Sequence, residues 1–190
     1  MSRLRLAKVS TPSNPPAGTG EVFYSQTLSP SQPAFIEEDG TVLRLWDGWT
    51  NVIKAADESV ASSTAVQNDD ELFFTATSGA VYQVELWLVY ANAAGAAPDL
   101  KIDLGEDATA RGAFESIGLS TADAAAATQF LANQTATATF GTAATKRMAS
   151  ISGNHAGNGG TFRLRWAQNT SNGTATIVYA GSLLRYRRVF

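Results

Sequence analysis

The stretch Val81-Tyr82-Gln83-Val84-Glu85-Leu86-Trp87-Leu88-Val89-Tyr90 decides the fold class. Tyr82, Val84, Leu86, Leu88 and Tyr90 fall on one side of an extended chain, with Gln83 and Glu85 on the other. Alternation of this kind is the mark of a β-strand with one face buried. Trp87 and Val89 make the second half apolar on both sides, so the strand is expected to run from an exposed edge into an interface or beneath a loop. Similar alternation recurs at Leu100–Leu104 and, most cleanly, at Thr161–Ala167, where Phe162, Leu164 and Trp166 point inward. Glu71–Ala76, Phe114–Leu119, Thr135–Phe140, Arg147–Ser152, Thr174–Ala180 and Ser182–Val189 complete a set of about eight strands separated by glycine-rich or polar turns. The expected fold is all-β, an antiparallel sandwich or barrel. Ser120-Thr121-Ala122-Asp123 has the form of a helix entry, but the alanines after it carry no strong apolar stripe.

The N-terminal quarter reads differently. Five of the six prolines lie between Ser10 and Pro33, and each removes a backbone donor and fixes φ. Residues 1–53 are therefore expected to form an extended arm with a short strand-and-turn module, and residues 54–190 the sandwich body. An arm with little core of its own orders by burying its aromatics on a partner, which nominates Phe23, Tyr24, Phe35, Trp46 and Trp49 as attachment residues.

Composition narrows the chemistry. The net charge of −3 argues against a general nucleic-acid binder, and the chain has no cysteine for disulfides, thiolates or Cys-based zinc sites. Met1–Leu6 lacks the apolar run of a signal peptide, and no stretch approaches the ~20 apolar residues of a membrane span. His155, the one histidine, sits among glycines and asparagines and reads as a solvated or interface turn residue. Asp69-Asp70-Glu71 reads as a solvated turn, and Asp99, Asp103, Glu106 and Asp107 are the best carboxylate cluster, without the spacing of an EF-hand. No catalytic, cofactor-binding or metal residue is nominated, and the expected protein is not an enzyme.

Residues 51–130 hold twelve acids and three bases, whereas residues 131–190 hold no acid and seven bases. One reading is that neighbouring strands pair opposite charges within the sheet. The other is that an acidic face meets a basic face on a second copy. The second reading nominates Arg163, Arg165, Arg185 and Arg187 for self-association, and the two-sided half of Val81–Tyr90 adds Trp87 and Val89.

Several segments together resemble a known family. Thr11-Pro12-Ser13-Asn14-Pro15-Pro16-Ala17-Gly18, Val22-Phe23-Tyr24 and Glu38-Asp39-Gly40-Thr41-Val42-Leu43-Arg44-Leu45 are similar to the short N-terminal module of tailed-bacteriophage virion proteins. Gln67–Leu72, Tyr82–Tyr90 and Ala180–Arg188 resemble the β-domain that follows it. The resemblance implies a homotrimer with a jelly-roll-like β-sandwich body on the exterior of the virion, made in the bacterial host cytoplasm. Its implied role is a capsid decoration protein or head fibre on the major capsid protein. The alternative is a minor tail or baseplate protein that binds a receptor or host-surface glycan.

Overall fold

Fifteen strands run through the described residues: β1 (Val22–Ser25), β2 (Pro33–Ile36), β3 (Val42–Arg44), β4 (Thr50–Ile53), β5 (Glu58–Val60), β6 (Gln67–Thr75), β7 (Val81–Asn92), β8 (Leu100–Gly105), β9 (Gly112–Leu119), β10 (Ala125–Leu131), β11 (Ala138–Phe140), β12 (Arg147–Ala156), β13 (Thr161–Gln168), β14 (Thr176–Val178) and β15 (Leu183–Arg188). The computed structural model describes residues 22–25, 33–36, 42–44, 48–93, 98–120, 122, 124–133 and 137–189. There is no helix among them.

The chain divides into two units, Met1–Gly48 and Trp49–Phe190. In the first, β1, β2 and β3 form an antiparallel meander in which Phe23 lies opposite Phe35. The expected boundary after residue 53 moves to Gly48/Trp49, because β4 pairs with β15 and so belongs to the body.

The body is a sandwich of two antiparallel sheets. β7 is long enough to face two partners in succession along one side. Its first half pairs with β15 (Leu183↔Trp87 through Arg188↔Tyr82) and its end with β14 (Thr176↔Asn92). Between these partners the chain turns a corner at residues 179–182, where Gly181 has φ +88°, a conformation open to glycine at little cost. The corner leaves a gap in the ladder. The hydroxyl of Ser182 fills it by accepting the Val89 N–H at 2.9 Å, and Tyr179 N–H donates to the Val89 carbonyl. A matching corner separates β4 from β5, pinned by Lys54 N–H to Ser182 O and Gly181 N–H to Lys54 O.

Counted as single ribbons, β4/β5 and β14/β15 complete a jelly roll. The larger sheet runs β4/β5, β14/β15, β7, β12, and the smaller runs β6, β13, β8, β11. In ribbon order these are 1-8-3-6 and 2-7-4-5, the winding of two nested Greek keys. The hairpin β9–β10 is inserted between the fourth and fifth ribbons and extends the larger sheet beyond β12. The core lies between the sheets, filled by Tyr82, Val84, Leu86, Leu88 and Tyr90 from β7 and by Leu100, Ile102, Leu104, Phe162, Leu164 and Trp166 from β8 and β13. At one end Phe74 stacks on Tyr186, with ring centroids 3.9 Å apart.

Three local expectations change. β7 is an interior strand with neighbours on both sides, not one that starts at an edge. Ser120 enters a hairpin turn rather than a helix: its N–H donates to Ala124 O at 2.7 Å and its hydroxyl accepts from Ala122 and Ala124. The alanine run beyond it forms edge strand β10. The Gly-rich segment is narrower than expected, since β12 continues to Ala156 and carries His155 into the interior.

Candidate functional site

The outward face of the larger sheet gathers four of the six residues nominated for self-association. Because side chains alternate, residues opposite one another on successive strands form rows across the sheet. One row reads Ile53, Leu183, Trp87, Ser150, Ile117 and Ala127 on β4, β15, β7, β12, β9 and β10. The next reads Asn51, Arg185, Glu85, Ser152, Glu115 and Gln129. The first row is apolar except at Ser150, half-buried at Leu183 and Trp87 and open at Ile53, 64% exposed, and Ile117, 56%. Met148, opposite Val89, is also exposed. A shallow depression of ≈ 230 Å³ lies where the two rows meet, lined by Glu85, Trp87, Ser150, Ile151 and Ser152.

Arg185 is held by three side chains. Its guanidinium lies between the rings of Trp49 and Trp87, 4.4 and 4.5 Å from their centroids. Its Nε and Nη2 donate to Glu85 Oε2 at 2.9 and 2.6 Å. Arg187 also faces Trp49, at 5.2 Å, and donates twice to Gln83 Oε1. Stacking on an indole while donating in the ring plane is a geometry that guanidinium supports and ammonium does not. The clamp fixes Trp49, at the start of the body, against β7 and β15.

The nominated self-association set therefore divides. Trp87, Val89, Arg185 and Arg187 share the outward face of the larger sheet. Arg163 and Arg165, on β13, belong to the smaller sheet, where Arg163 lies over Phe73 and Arg165 Nη1 is 3.7 Å from Asp103 Oδ2. Of the nominated attachment residues, Trp49 belongs to the body, Phe23, Tyr24 and Phe35 lie on β1 and β2 of the first unit, and Trp46 lies outside the described residues. Arg185 with Glu85, and Arg165 with Asp103, are register partners, so the charge split is at these positions answered by cross-strand pairing within the chain.

The acids expected to cluster have separate partners. Asp99 Oδ1 accepts the Thr142 N–H, Asp107 pairs with Arg111, and Glu106 holds His155. No group of three metal-ligating side chains occurs among the described residues. His155, expected at a solvated turn, is fully buried: Nε2 is 2.7 Å from Glu106 Oε1, and the ring packs 4.8 Å from that of Phe162. Glu106 also accepts the N–H groups of Asn158 and Gly160, so one carboxylate ties the end of β8 to the β12–β13 turn.

Asp69, expected in a solvated turn, is 1% exposed on β6, with its Oδ2 3.0 Å from Lys54 Nζ. Glu58 Oε2 and Glu71 Oε2 stand 2.9 and 3.7 Å from the same nitrogen. Burial opposes the charge on Lys54, but hydrogen bonds from Nζ to Glu58 and Asp69 outweigh it and raise its pKa above 10.5. No local pattern announces this cluster, because its partners meet only through the corner between β4 and β5. Ile117 and Met148 were legible only as outward positions of short strands.

Asp103 is 1% exposed, and burial pushes its pKa from 3.8 up to about 6 against the opposing pull of Arg165 and Lys101. Its folded pKa lies above its unfolded one, so the stability it contributes is full below pH ~4 and is lost as pH rises through ~6. The rise is worth up to about 3 kcal/mol. Thermal unfolding of Asp103→Asn beside the wild type should show the gap moving in the variant's favour between pH 4 and 7. A gap that stays constant over that range would contradict the buried placement of Asp103.

No protein-family model matches the chain, and no curated protein matches it.

Proposed function

We propose that this chain is a structural protein of a tailed-bacteriophage particle. In this reading the jelly-roll body associates with copies of itself, and the N-terminal unit attaches it to the capsid as a decoration or head-fibre protein. The fold alone carries no function. The observation that carries the reading is the apolar row Ile53, Leu183, Trp87 and Ile117 on the outward face of a sheet already packed on its other side. Exposed apolar rows bordered by polar residues mark protein contact surfaces. The Arg185 clamp supports it further, since it holds Trp87 rigid before any partner arrives, lowering the ordering cost of association. The particle, the major capsid protein as partner and the trimeric state come from the family resemblance of both units.

Two readouts test the proposal. Light scattering of the full chain should give an oligomeric mass at micromolar concentration, falling to the monomer in Ile117→Asp/Met148→Asp, whose positions are exposed and should leave the fold intact. A chain lacking residues 1–48 should keep its oligomeric mass and stop co-sedimenting with particles. A monomeric full chain defeats the self-association half. Full particle occupancy by the truncated chain defeats the attachment half.

A further inference from the structure

The buried contact between Lys54 and Asp69 has the parts of a reactive centre. Both side chains are almost wholly shielded, 1% and 0% exposed, with Nζ 3.0 Å from Oδ2. The other carboxylate oxygen, Oδ1, accepts two backbone N–H groups, from Glu71 at 3.0 Å and Leu72 at 2.8 Å. A third group, Glu58 Oε2, stands 2.9 Å from Nζ on a less buried side chain, and Gln67 Nε2 holds its other oxygen at 2.6 Å. An amine, an acyl carbon with a two-donor oxyanion site and a proton carrier thus meet in one water-poor place.

We propose that Lys54 and Asp69 join through an intramolecular amide bond formed by the folded protein itself. One proton passes from Nζ to Oδ2 of Asp69, the freed lone pair attacks Cγ of the neutral acid, and Glu58 then takes a second proton from Nζ. Negative charge gathers on Oδ1, where the N–H groups of Glu71 and Leu72 stabilise it. Oδ2, protonated through Glu58, leaves as water, and Nζ keeps one hydrogen in the new amide. The ammonium and the carboxylate together supply every atom of the amide and the water, so no other reactant is needed and the net charge does not change. In water this condensation is opposed by the solvation of both ions. Here the ions are already desolvated, and the reaction removes two buried charges. Holding the groups in contact supplies a large effective concentration. Lys54 is an ammonium at rest, so the reactive pair is the minor neutral tautomer, reached by proton transfer within the contact. The bond would close residues 54–69 into a loop, tying the β4/β5 corner of the larger sheet to β6 of the smaller. In a chain without cysteine it would restrict the unfolded state as a disulfide does.

Denaturing mass spectrometry and peptide mapping of the full folded chain test this. The expected product is lighter than the sequence mass by one water, is not cut by trypsin after Lys54, and stays joined when cleaved after Glu58. Asp69→Asn should form the same amide with loss of ammonia, Lys54→Arg should keep its full mass, and Glu58→Gln should slow the reaction at least tenfold. Wild-type protein of full mass, cut normally after Lys54, overturns the proposal, and so does a water loss that maps elsewhere. If Lys54→Arg fails to fold, the wild-type map still decides.

Discussion

Lys54→Met is expected to destabilise the body by about 3–5 kcal/mol, the usual cost of leaving a buried charge without its partner. Asp69 is fully buried and Lys54 Nζ is its cationic neighbour at 3.0 Å, while Glu58 and Glu71 add two further negative charges close by. Methionine nearly matches the length of the lysine stem and fills its space, so the loss measures charge rather than volume. The double variant Lys54→Met/Asp69→Asn should recover more than half of it, because asparagine keeps an acceptor for the N–H groups of Glu71 and Leu72 while removing the buried charge. Urea denaturation of the three proteins checks this. A single-variant loss below about 1 kcal/mol would mean that water reaches the cluster. Should Lys54 and Asp69 be joined as an amide, the single variant also loses the closed loop and its cost lies at or above the top of the range.

The strands whose faces differ in polarity were legible in the sequence. Val81–Tyr90 and Thr161–Ala167 alternate strongly enough that their inward residues are the buried ones. The Lys54 cluster was not legible, because Gln67–Glu71 is polar throughout and period-2 reading has nothing to separate. What buries Asp69 is a lysine fifteen residues earlier, brought there by a corner that forms only when β4 pairs with β15. His155 was misplaced for a related reason. Its glycine and asparagine neighbours favour turns, yet β12 has β7 on one side and β9 on the other, and paired backbone on both sides outweighs local preference. The arginines show the same limit for the candidate site. Arg163/Arg165 and Arg185/Arg187 have identical spacing, and only the jelly-roll winding sends one pair to the smaller sheet and the other to the Trp49–Trp87 clamp.

Gly153→Ala is expected to cost about 3 kcal/mol and to loosen the outer half of the larger sheet selectively. Gly153 lies on β12 between Val84 of β7 and Phe114 of β9, on the side that faces the core. A Cβ there would overlap the carbonyl oxygen of Ala113 and come within 2.7 Å of Phe114 Cδ1. The first obstacle is backbone, which side-chain rotation cannot relieve, so β9 must move away from β12. Phe114 is 2% exposed and stacks near Phe130, so its displacement opens the core beneath the β9–β10 hairpin. Gly173→Ala is the control: nothing lies within 4 Å of its Cβ, and a change within about 0.5 kcal/mol is expected. Hydrogen exchange should show protection lost across β9 and β10 before β7, β13 and β15. Uniform loss over both sheets would instead mean that the hairpin and the eight-ribbon body unfold as one unit. The same variant bears on association, because Ile117 sits on β9 at the far end of the apolar row. If that row is the contact surface, Gly153→Ala should weaken the oligomer while the eight-ribbon body stays folded.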